Sequence, residues 1–359
     1  MDSVFLNKAA AAVLLSIATA WICGAVGSTV VPITAPAKPA FSVPGTENVP
    51  IAPYMAHADA DHGEELAHQI CSSCHALVSA ASDGVGPNLA GVAGRPRAND
   101  LTPFLNVANM MADAARCVVR PWFRSSVAVI DKADQSPVTL ADRTAERVMR
   151  AILSERLPGH GVFGEEFGLE NENASYRWLL DPVDGTRSFV TGRPLFGTLI
   201  ALLKNGVPVL GIIDQPVTEE RWVGVSGQPT RFSSRFGGLA GTRACLELGQ
   251  AELSCTSPEM LESAPHEGWK TLKKRAKRMT WGGDCYAYGL LALGQIDIIA
   301  ECDMNPWDWA ALVPVIEGAG GRITAWDGSP LHAEGDRTVL AVGDASLHSA
   351  AVQALATRP

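Results

Sequence analysis

Residues 177–186 read RWLLDPVDGT, and this stretch constrains the fold more than any other part of the chain. The apolar run before Asp181 is typical of a buried strand, and Pro-Val-Asp-Gly is typical of a tight turn. A strand that ends in such a turn can bring Asp181 and Asp184 to one site. Two neighbouring carboxylates suit a hard divalent cation, which prefers oxygen ligands. Taken alone, the same residues could equally form an ordinary surface turn.

The 359-residue chain is long enough for two or three domains, and its net charge of −9 is acidic. Non-specific binding to nucleic acid requires a basic surface, so we expect no nucleic-acid partner. After Asn99, helical stretches alternate with strand-like runs such as TLIALL (198–203) and VPVLGIID (207–214). This alternation predicts a layered α/β architecture.

An uncharged run extends from Ala9 to Val31 near the N-terminus. As a helix it would span about 34 Å, enough to cross a hydrocarbon core of about 30 Å. A cleaved signal peptide is the alternative, but the run is long for one and lacks a basic region before it. Residues 1–31 are therefore predicted to be a membrane anchor, and the Pro/Ala-rich residues 32–56 an extended linker.

Cys71, Cys74 and His75 form the Cys-x-x-Cys-His signature of c-type haem attachment. The thiols would bind the vinyl groups of the haem, and the histidine would ligate its iron. Together with GVGPNLAGVAGRPRA (84–98), this motif makes residues 57–98 resemble the small membrane-anchored class I cytochromes c of bacteria. The resemblance implies a covalent haem c as a cofactor and an all-α fold for this segment.

The cytochrome-like segment is incomplete. Cytochromes of that class continue with a methionine sixth ligand and a closing helix, but here Met110 and Met111 lie in an amphipathic stretch that belongs to the next domain. A domain cut to about half its length has too little core to fold alone. Electron transfer therefore stays an alternative function of a different class, and it requires a sixth ligand that the segment lacks.

Three further motifs follow one another along the chain: HGVFGEEFG (160–168), WLLDPVDGTRSF (178–189) and NPWDWAALVPVIEGAGG (305–321). In this order and spacing they resemble the inositol monophosphatase superfamily of metal-dependent phosphomonoesterases. The resemblance covers residues 100–359. It implies an α/β fold built as a layered αβαβα sandwich, with halves of about 100–235 and 236–359, and a chain able to form a homodimer.

The same resemblance implies a site for two or three Mg²⁺ ions. Glu165, Asp181 and the carbonyl of Val183 would hold the first ion. Asp181, Asp184 and Asp308 would hold the second. Because Asp308 comes from the second half of the domain, the site is predicted to lie between the two halves.

Catalytic roles follow from the same family pattern. Glu165 and Thr186 would position and activate the attacking water, with Asp184 as a further catalytic residue. Gly185 and Thr186 would open a helix whose N–H groups hold the phosphate of the substrate.

Upstream, Lys132 and Asp142 match family positions that help to bind a further metal ion or its waters. An ordinary helix start, with Ser/Thr caps and an acidic first turn, explains these two residues equally well. Sequence alone leaves both interpretations open.

Within this superfamily, residues 184–202, 241–261 and 281–303 look most like histidinol-phosphatases. Asp284 and Glu301 match the substrate-contact positions, and an acidic wall suits the ammonium and imidazole groups of histidinol phosphate. Glu301 could also be a surface charge at a strand end. The expected partner is thus a small phosphate ester, with inositol 1-phosphate or a related ester as the alternative substrate.

The two halves of the sequence predict different compartments. An inserted anchor at residues 9–31 would tie the protein to the inner membrane, where haem attachment takes place on the outer side. Without insertion, the phosphatase domain is expected in the cytoplasm, where histidine is made. A non-functional join of two truncated genes, or an erroneous gene model, is a further explanation of this organisation.

Overall fold

The computed structural model describes residues 101–125, 129–131, 137–263 and 266–357. The predicted anchor, the linker and the cytochrome-like segment with Cys71, Cys74 and His75 lie outside these residues. Lys132 lies outside them too. Among the described residues, no helix is long and apolar enough to cross a membrane.

The described residues form eight α-helices and three short 3-10 helices. The α-helices are α1 (Thr102–Val119), α2 (Leu140–Arg156), α3 (Thr186–Val190), α4 (His266–Arg275), α5 (Asp284–Leu291), α6 (Pro306–Trp309), α7 (Leu312–Gly318) and α8 (Ala345–Leu355). The 3-10 helices are Arg120–Trp122, Leu248–Gln250 and Pro258–Ser263.

Fourteen strands lie in the same part of the chain and form a two-stranded, a seven-stranded and a five-stranded sheet. The first sheet pairs β1 (Val129–Asp131) with β2 (Pro137–Thr139). The second contains β3 (Gly161–Gly164), β4 (Gly168–Glu170), β5 (Tyr176–Asp184), β6 (Gly197–Lys204), β7 (Val207–Gln215), β8 (Glu220–Val225) and β9 (Arg231–Ser233). The third contains β10 (Glu252–Cys255), β11 (Arg278–Trp281), β12 (Ile298–Glu301), β13 (Arg322–Thr324) and β14 (Val339–Val342).

The seven-stranded sheet has the order β4-β3-β5-β6-β7-β8-β9, and β3 and β5 run parallel. Its central strands β5, β6 and β7 carry long buried runs because both faces of the sheet are covered. Successive side chains alternate between those faces, as the period of a strand requires. Trp178 and Leu180 belong to the core beneath α1 and α2, whereas Leu179 belongs to the core on the opposite face.

Three hydrophobic cores separate five layers. The first core lies between α1 and α2 and the seven-stranded sheet. The second lies between the two large sheets and includes α5, α6 and α7. The third lies between the five-stranded sheet and the outer helices α4 and α8. The predicted mixed α/β fold is therefore confirmed, and the site described below lies beside the middle layer.

The middle helices pack directly on strand backbone in places where the strand carries glycine. A Cβ atom at Gly211 of β7 would lie 2.0 Å from the carbonyl oxygen of Ala311, which precedes α7. Any larger residue would force α7 away from the sheet. Glycine here sets the spacing between the two halves of the domain.

Candidate active site

Asp181 and Asp184 both lie near the end of β5. Side chains three residues apart on a regular strand point to opposite faces. The pairing register of β5 with β6 shifts between these two aspartates, and this irregularity lets their carboxylates converge. The Val183 backbone N–H also donates to Asp181 Oδ1 over 3.0 Å, which fixes the orientation of that carboxylate.

Asp308 reaches the same place from the second half of the domain. It lies in the first turn of α6, and the backbone N–H of Asn305 donates to Asp308 Oδ2 over 2.7 Å. Carboxylate oxygens of Asp181, Asp184 and Asp308 all lie within 4.8 Å of one another. The structure thus brings together three predicted ligands from both halves.

Glu165 follows the end of β3, the parallel neighbour of β5. Its backbone N–H donates to the Leu180 carbonyl over 3.1 Å, so the end of β3 stays next to the two aspartates of β5. The loop after it is held by the buried carboxylate of Glu146, which accepts from the N–H groups of Glu166 (2.8 Å) and Phe167 (3.2 Å).

Thr186 begins α3 directly after Gly185. Its hydroxyl oxygen lies 3.2 Å from Asp142 Oδ1 and 3.1 Å from the Val183 carbonyl oxygen. The other oxygen of Asp142 accepts from the backbone N–H of Thr139 over 3.1 Å, as part of the capping box that starts α2. Asp142 therefore caps a helix, as one interpretation predicted, and it also contacts Thr186; a role in binding a further metal ion stays a prediction.

A cavity of about 630 Å³ is lined by nine of the phosphatase residues predicted from sequence, and Asp142 is not among its lining residues. Its walls come from both halves of the domain. The predicted residues that line it are Glu165, Asp181, Val183, Asp184, Gly185, Thr186, Asp284, Glu301 and Asp308.

Asp284 lies at the start of α5 with its side chain against Gly185. A Cβ atom at Gly185 would be 2.7 Å from Asp284 Cγ, and the φ of Gly185 is +89°. The space and the conformation both require glycine. Asp284 has a left-handed φ of +45°, and its carboxylate accepts from the Ser188 hydroxyl over 2.9 Å.

Glu301 lines the cavity but is too enclosed to be a surface charge, with only 2% of the residue exposed. The Thr256 N–H donates to Oε1 over 2.6 Å, and the Tyr288 hydroxyl donates to Oε2 over 2.8 Å. The Thr256 hydroxyl in turn accepts from the backbone N–H of Asp284 over 3.1 Å. Glu301 thus supports the wall that presents Asp284.

The acidic groups of the cavity raise one another's pKa values. Burial is the largest cause for Asp181 and Asp184, and neighbouring carboxylates raise both pKa values further. Burial also raises the pKa of Asp308 to about 7 and that of Asp284 to about 6. Ionised carboxylates that lie this close together repel one another unless a cation is bound between them. Such a cluster is typical of a cation-binding site.

Comparison with known proteins adds to this geometry. Residues 100–358 match the model of the inositol monophosphatase family. The chain belongs to the inositol monophosphatase family. It is accordingly a phosphatase, and the family resemblance predicted from the three motifs is confirmed.

Several members of this family align with most of the domain. The bifunctional phosphatase IMPL2, chloroplastic, of Arabidopsis thaliana is 44% identical over 265 residues, covering 71% of this chain and 76% of that protein. A histidinol-phosphatase of Chlorobaculum parvum is 36% identical over 245 residues, covering 67% and 93%. The structure of an inositol monophosphatase from Zymomonas mobilis aligns with a TM-score of 0.66 at 43% identity, covering 72% and 100%.

Enzymes of the inositol monophosphatase family generally use Mg²⁺. The donor chemistry here fits that ion, because Asp181, Asp184 and Asp308 offer three carboxylates within one ligand sphere. Burial and neighbouring carboxylates raise the pKa values of all three, so a bound cation would stabilise their ionised forms. Cysteine and histidine, which would favour softer metals, are absent from this three-residue cluster.

The sequence patterns did not identify Glu146 and Thr256, whose hydrogen bonds hold the segments that carry the predicted site residues. A signal existed for Glu146. In α2 the apolar face carries Ala145, Met149 and Leu153, and Glu146 is buried on that face of the helix. An acidic residue buried among apolar ones usually has a specific partner. Nothing local singled out Thr256.

Proposed function

We propose that this phosphatase hydrolyses histidinol phosphate in a Mg²⁺-dependent reaction. The observation that carries the proposal is the position of Asp284, whose carboxylate lies beside Gly185 and the predicted metal ligands. A phosphate ester bound at those ligands would present the rest of its structure to Asp284. An acceptor with a negative charge suits the ammonium or imidazole of histidinol phosphate.

The metal-binding part of the proposal assigns Glu165, Asp181, Val183, Asp184 and Asp308 as ligands. Mg²⁺ at these residues would neutralise charge on the phosphoryl oxygens while a phosphate ester is cleaved. Backbone N–H groups hold the enclosed carboxylates of Asp181 and Asp308 in place. That arrangement reduces the cost of ordering the ligands.

Water activation is assigned to Thr186 and Glu165. The Thr186 hydroxyl contacts Asp142, so it can take a proton from the attacking water as its own proton passes to Asp142. The water oxygen then forms a bond to phosphorus, the ester P–O bond breaks, and the departing alcohol oxygen takes a proton from solvent. The N–H groups at Gly185 and Thr186 are assigned to the phosphate.

Selectivity for a cationic alcohol is assigned to Asp284 and to the residues that hold it. Ser188 donates to its carboxylate, and the Thr256 hydroxyl accepts from its backbone N–H. These contacts keep the acid in one orientation, which favours a ligand whose cation lies at a fixed distance from its phosphate. Glu301, with both oxygens engaged, acts in this scheme as a support rather than as a direct contact.

The test is phosphate release by the purified full-length protein from histidinol phosphate and from inositol 1-phosphate, each with Mg²⁺ and with excess chelator. We expect rapid, Mg²⁺-dependent release from histidinol phosphate and a much lower kcat/KM for the inositol ester. Equal or faster phosphate release from inositol 1-phosphate would contradict the histidinol phosphate assignment and favour the inositol ester as the substrate. That alternative is supported by the similarity to the Zymomonas mobilis inositol monophosphatase.

A haem-dependent function has no comparable support. The family match begins at residue 100, so it does not include Cys71, Cys74 and His75. The proposal for the phosphatase is independent of whether those residues bind haem.

A further inference from the structure

Arg337 lies in the segment between β13 and β14 and contacts the segment that leads into α6. Its Nη2 atom donates to the Asp303 carbonyl over 3.0 Å and to Asn305 Oδ1 over 3.1 Å. The same atom is 2.9 Å from the Asp303 carboxylate. In return, the Met304 N–H donates to the Arg337 carbonyl over 3.0 Å.

The contacted segment connects two parts of the candidate active site. It begins just after Glu301 at the end of β12, and Asp303, Met304 and Asn305 all line the cavity. Asn305 then holds the Asp308 carboxylate through its backbone N–H. A side chain that fixes Asn305 therefore also fixes the carboxylate of Asp308, the third residue of α6.

The backbone on both sides of this contact has an uncommon conformation. Asp303 has a φ of +64° and Arg337 a φ of +62°, and neither residue is glycine. Such left-handed residues persist where surrounding contacts over-determine them, and they concentrate at functional sites. Here the two left-handed residues are partners in one ion pair.

The segment that carries Arg337 is itself held by hydrogen bonds. Asp336 Oδ1 accepts from the N–H of Thr338 over 3.0 Å and from its hydroxyl over 2.7 Å. The Thr338 hydroxyl accepts from the Trp326 N–H over 2.9 Å. Arg337 also lines a second cavity of about 200 Å³, together with Trp309 at the end of α6. The segment of Asp336 to Thr338 thus lies near the end of α6, at a second cavity rather than at the main one.

We infer that Arg337 is a positioning residue that sets the Asp308 carboxylate for metal binding by holding Asn305. The contacts of its side chain with Asp303 and Asn305 are all made by Nη2, whose two N–H groups reach both residues from one end of the guanidinium. Its side chain is 48% exposed, so the ion pair with Asp303 adds little to global stability. Its effect is instead on the geometry of one ligand. This inference rests on the metal set of the proposed function.

The test compares Arg337→Gln with the wild-type full-length protein by calorimetric titration with Mg²⁺. Partners that orient metal ligands typically change affinity by about 10- to 100-fold when removed. We expect the Mg²⁺ affinity of one class of sites to fall by a factor in that range. Mg²⁺ should then raise the melting temperature of the variant less than that of the wild type, whereas in chelator the two melting temperatures should be equal. Activity should return towards the wild-type kcat at high Mg²⁺, with little change in the KM for the ester.

Arg120→Gln is the matched control. Arg120 is 54% exposed and forms a 2.6 Å ion pair with Glu219, but neither residue lines the cavity. We expect wild-type Mg²⁺ affinity for this variant. Asn305→Ala should weaken Mg²⁺ binding as Arg337→Gln does, and the double variant should lose less than the sum of the two changes, since one contact is removed twice.

The outcomes separate the inference from the proposed function. Wild-type Mg²⁺ affinity in a folded Arg337→Gln variant, additive losses in the double variant, or an equal loss in Arg120→Gln would overturn the role of Arg337 alone. A wild-type protein that binds no Mg²⁺ and needs none for phosphate release would overturn both.

Discussion

Asp184 Oδ2 accepts a hydrogen bond from the backbone N–H of Cys285, with 2.5 Å between the two atoms. Asp184 ends β5 in the seven-stranded sheet, whereas Cys285 lies in the first turn of α5. The residue before Cys285 is Asp284, the acid assigned to the substrate cation. One hydrogen bond therefore links the predicted metal site to the predicted specificity site.

Asp284→Asn tests the specificity assignment, because it removes a charge and keeps the shape of the side chain. We expect kcat/KM for histidinol phosphate to fall about 10- to 100-fold, since hydrogen bonds to charged groups contribute about 1.5–3 kcal/mol. Inositol 1-phosphate has no cationic group and should lose less. Steady-state kinetics on both esters measures this, with Asp113→Asn, an exposed acid paired with Arg221, as the control. Equal losses on both esters would show that Asp284 serves the metal site instead.

Asp181→Asn and Asp308→Asn test the metal ligands. Each should reduce kcat by roughly 10³-fold or more, because a bound cation supplies several kcal/mol of charge stabilisation. Circular dichroism should show both variants folded, since these acids serve the ion rather than the core. Mg²⁺-dependent turnover near the wild-type rate in either variant would rule out that residue as a ligand.

Stability without Mg²⁺ should depend on pH. Burial raises the folded-state pKa of Asp308 to about 7, above its ordinary value of 3.8, so its contribution to stability is fully present below pH 3.8 and is lost progressively as pH rises from there through 7. The pKa values of His160 and His348 are lowered by burial and act in the opposite direction, mostly below pH 6.5. In chelator, the melting temperature should therefore fall between pH 6.5 and 8.

Scanning calorimetry across that range checks the prediction. Saturating Mg²⁺ should reduce the fall, because the cation binds the ionised carboxylates, and Asp308→Asn should reduce it in chelator. A melting temperature that rises from pH 6.5 to 8 in chelator would contradict the assigned direction of the pKa shift.

Glu146→Gln tests the support behind Glu165. The buried carboxylate of Glu146 also accepts from Arg150 Nε over 2.8 Å, and glutamine has a single acceptor oxygen for these donors. We expect the free energy of unfolding to fall by about 1–3 kcal/mol and the Mg²⁺ affinity to weaken. Denaturant unfolding and calorimetric titration measure the two effects.

Glu155→Gln on the same helix is the control for that variant. Glu155 is exposed, and its contact with Arg156 is an exposed ion pair, so the change should stay within about 0.5 kcal/mol. A Glu146→Gln protein as stable as this control would mean that the donors around Glu146 find other partners.

The sequence predicted a residue's place in the fold best where a short local pattern determines it. A strand followed by a tight turn predicts that Asp181 and Asp184 converge, although the same residues taken alone could form an ordinary surface turn. In the structure both lie within β5, and a shift in its pairing register brings them together. Asp308 could be joined to them only through the family resemblance, because no local rule brings residues from two sheets together. The layered α/β architecture followed from alternating helical and strand-like runs, which depend on short-range periodicity.

The hydrogen bonds that support the site residues could not be predicted from the sequence, because they join residues that are far apart in the chain. Thr256 holds both Glu301 and Asp284, but its partners are 45 and 28 positions away. Such roles depend on how the five-stranded sheet meets α5, which no single segment encodes. The same contacts explain why Glu301, matched to a substrate position by resemblance, has both carboxylate oxygens engaged within the protein.

The place of β14 has a consequence for how this enzyme is made. β14 lies between β12 and β13 and pairs antiparallel with both, although it is the last strand in the chain order. A nascent polypeptide interrupted at Gly335 would already contain every predicted metal ligand, but the strand that flanks β12 would still be missing. We therefore expect a chain cut there to lose activity without losing one chemical group of the predicted metal site, because Glu301 at the end of β12 pairs with Val339 of β14.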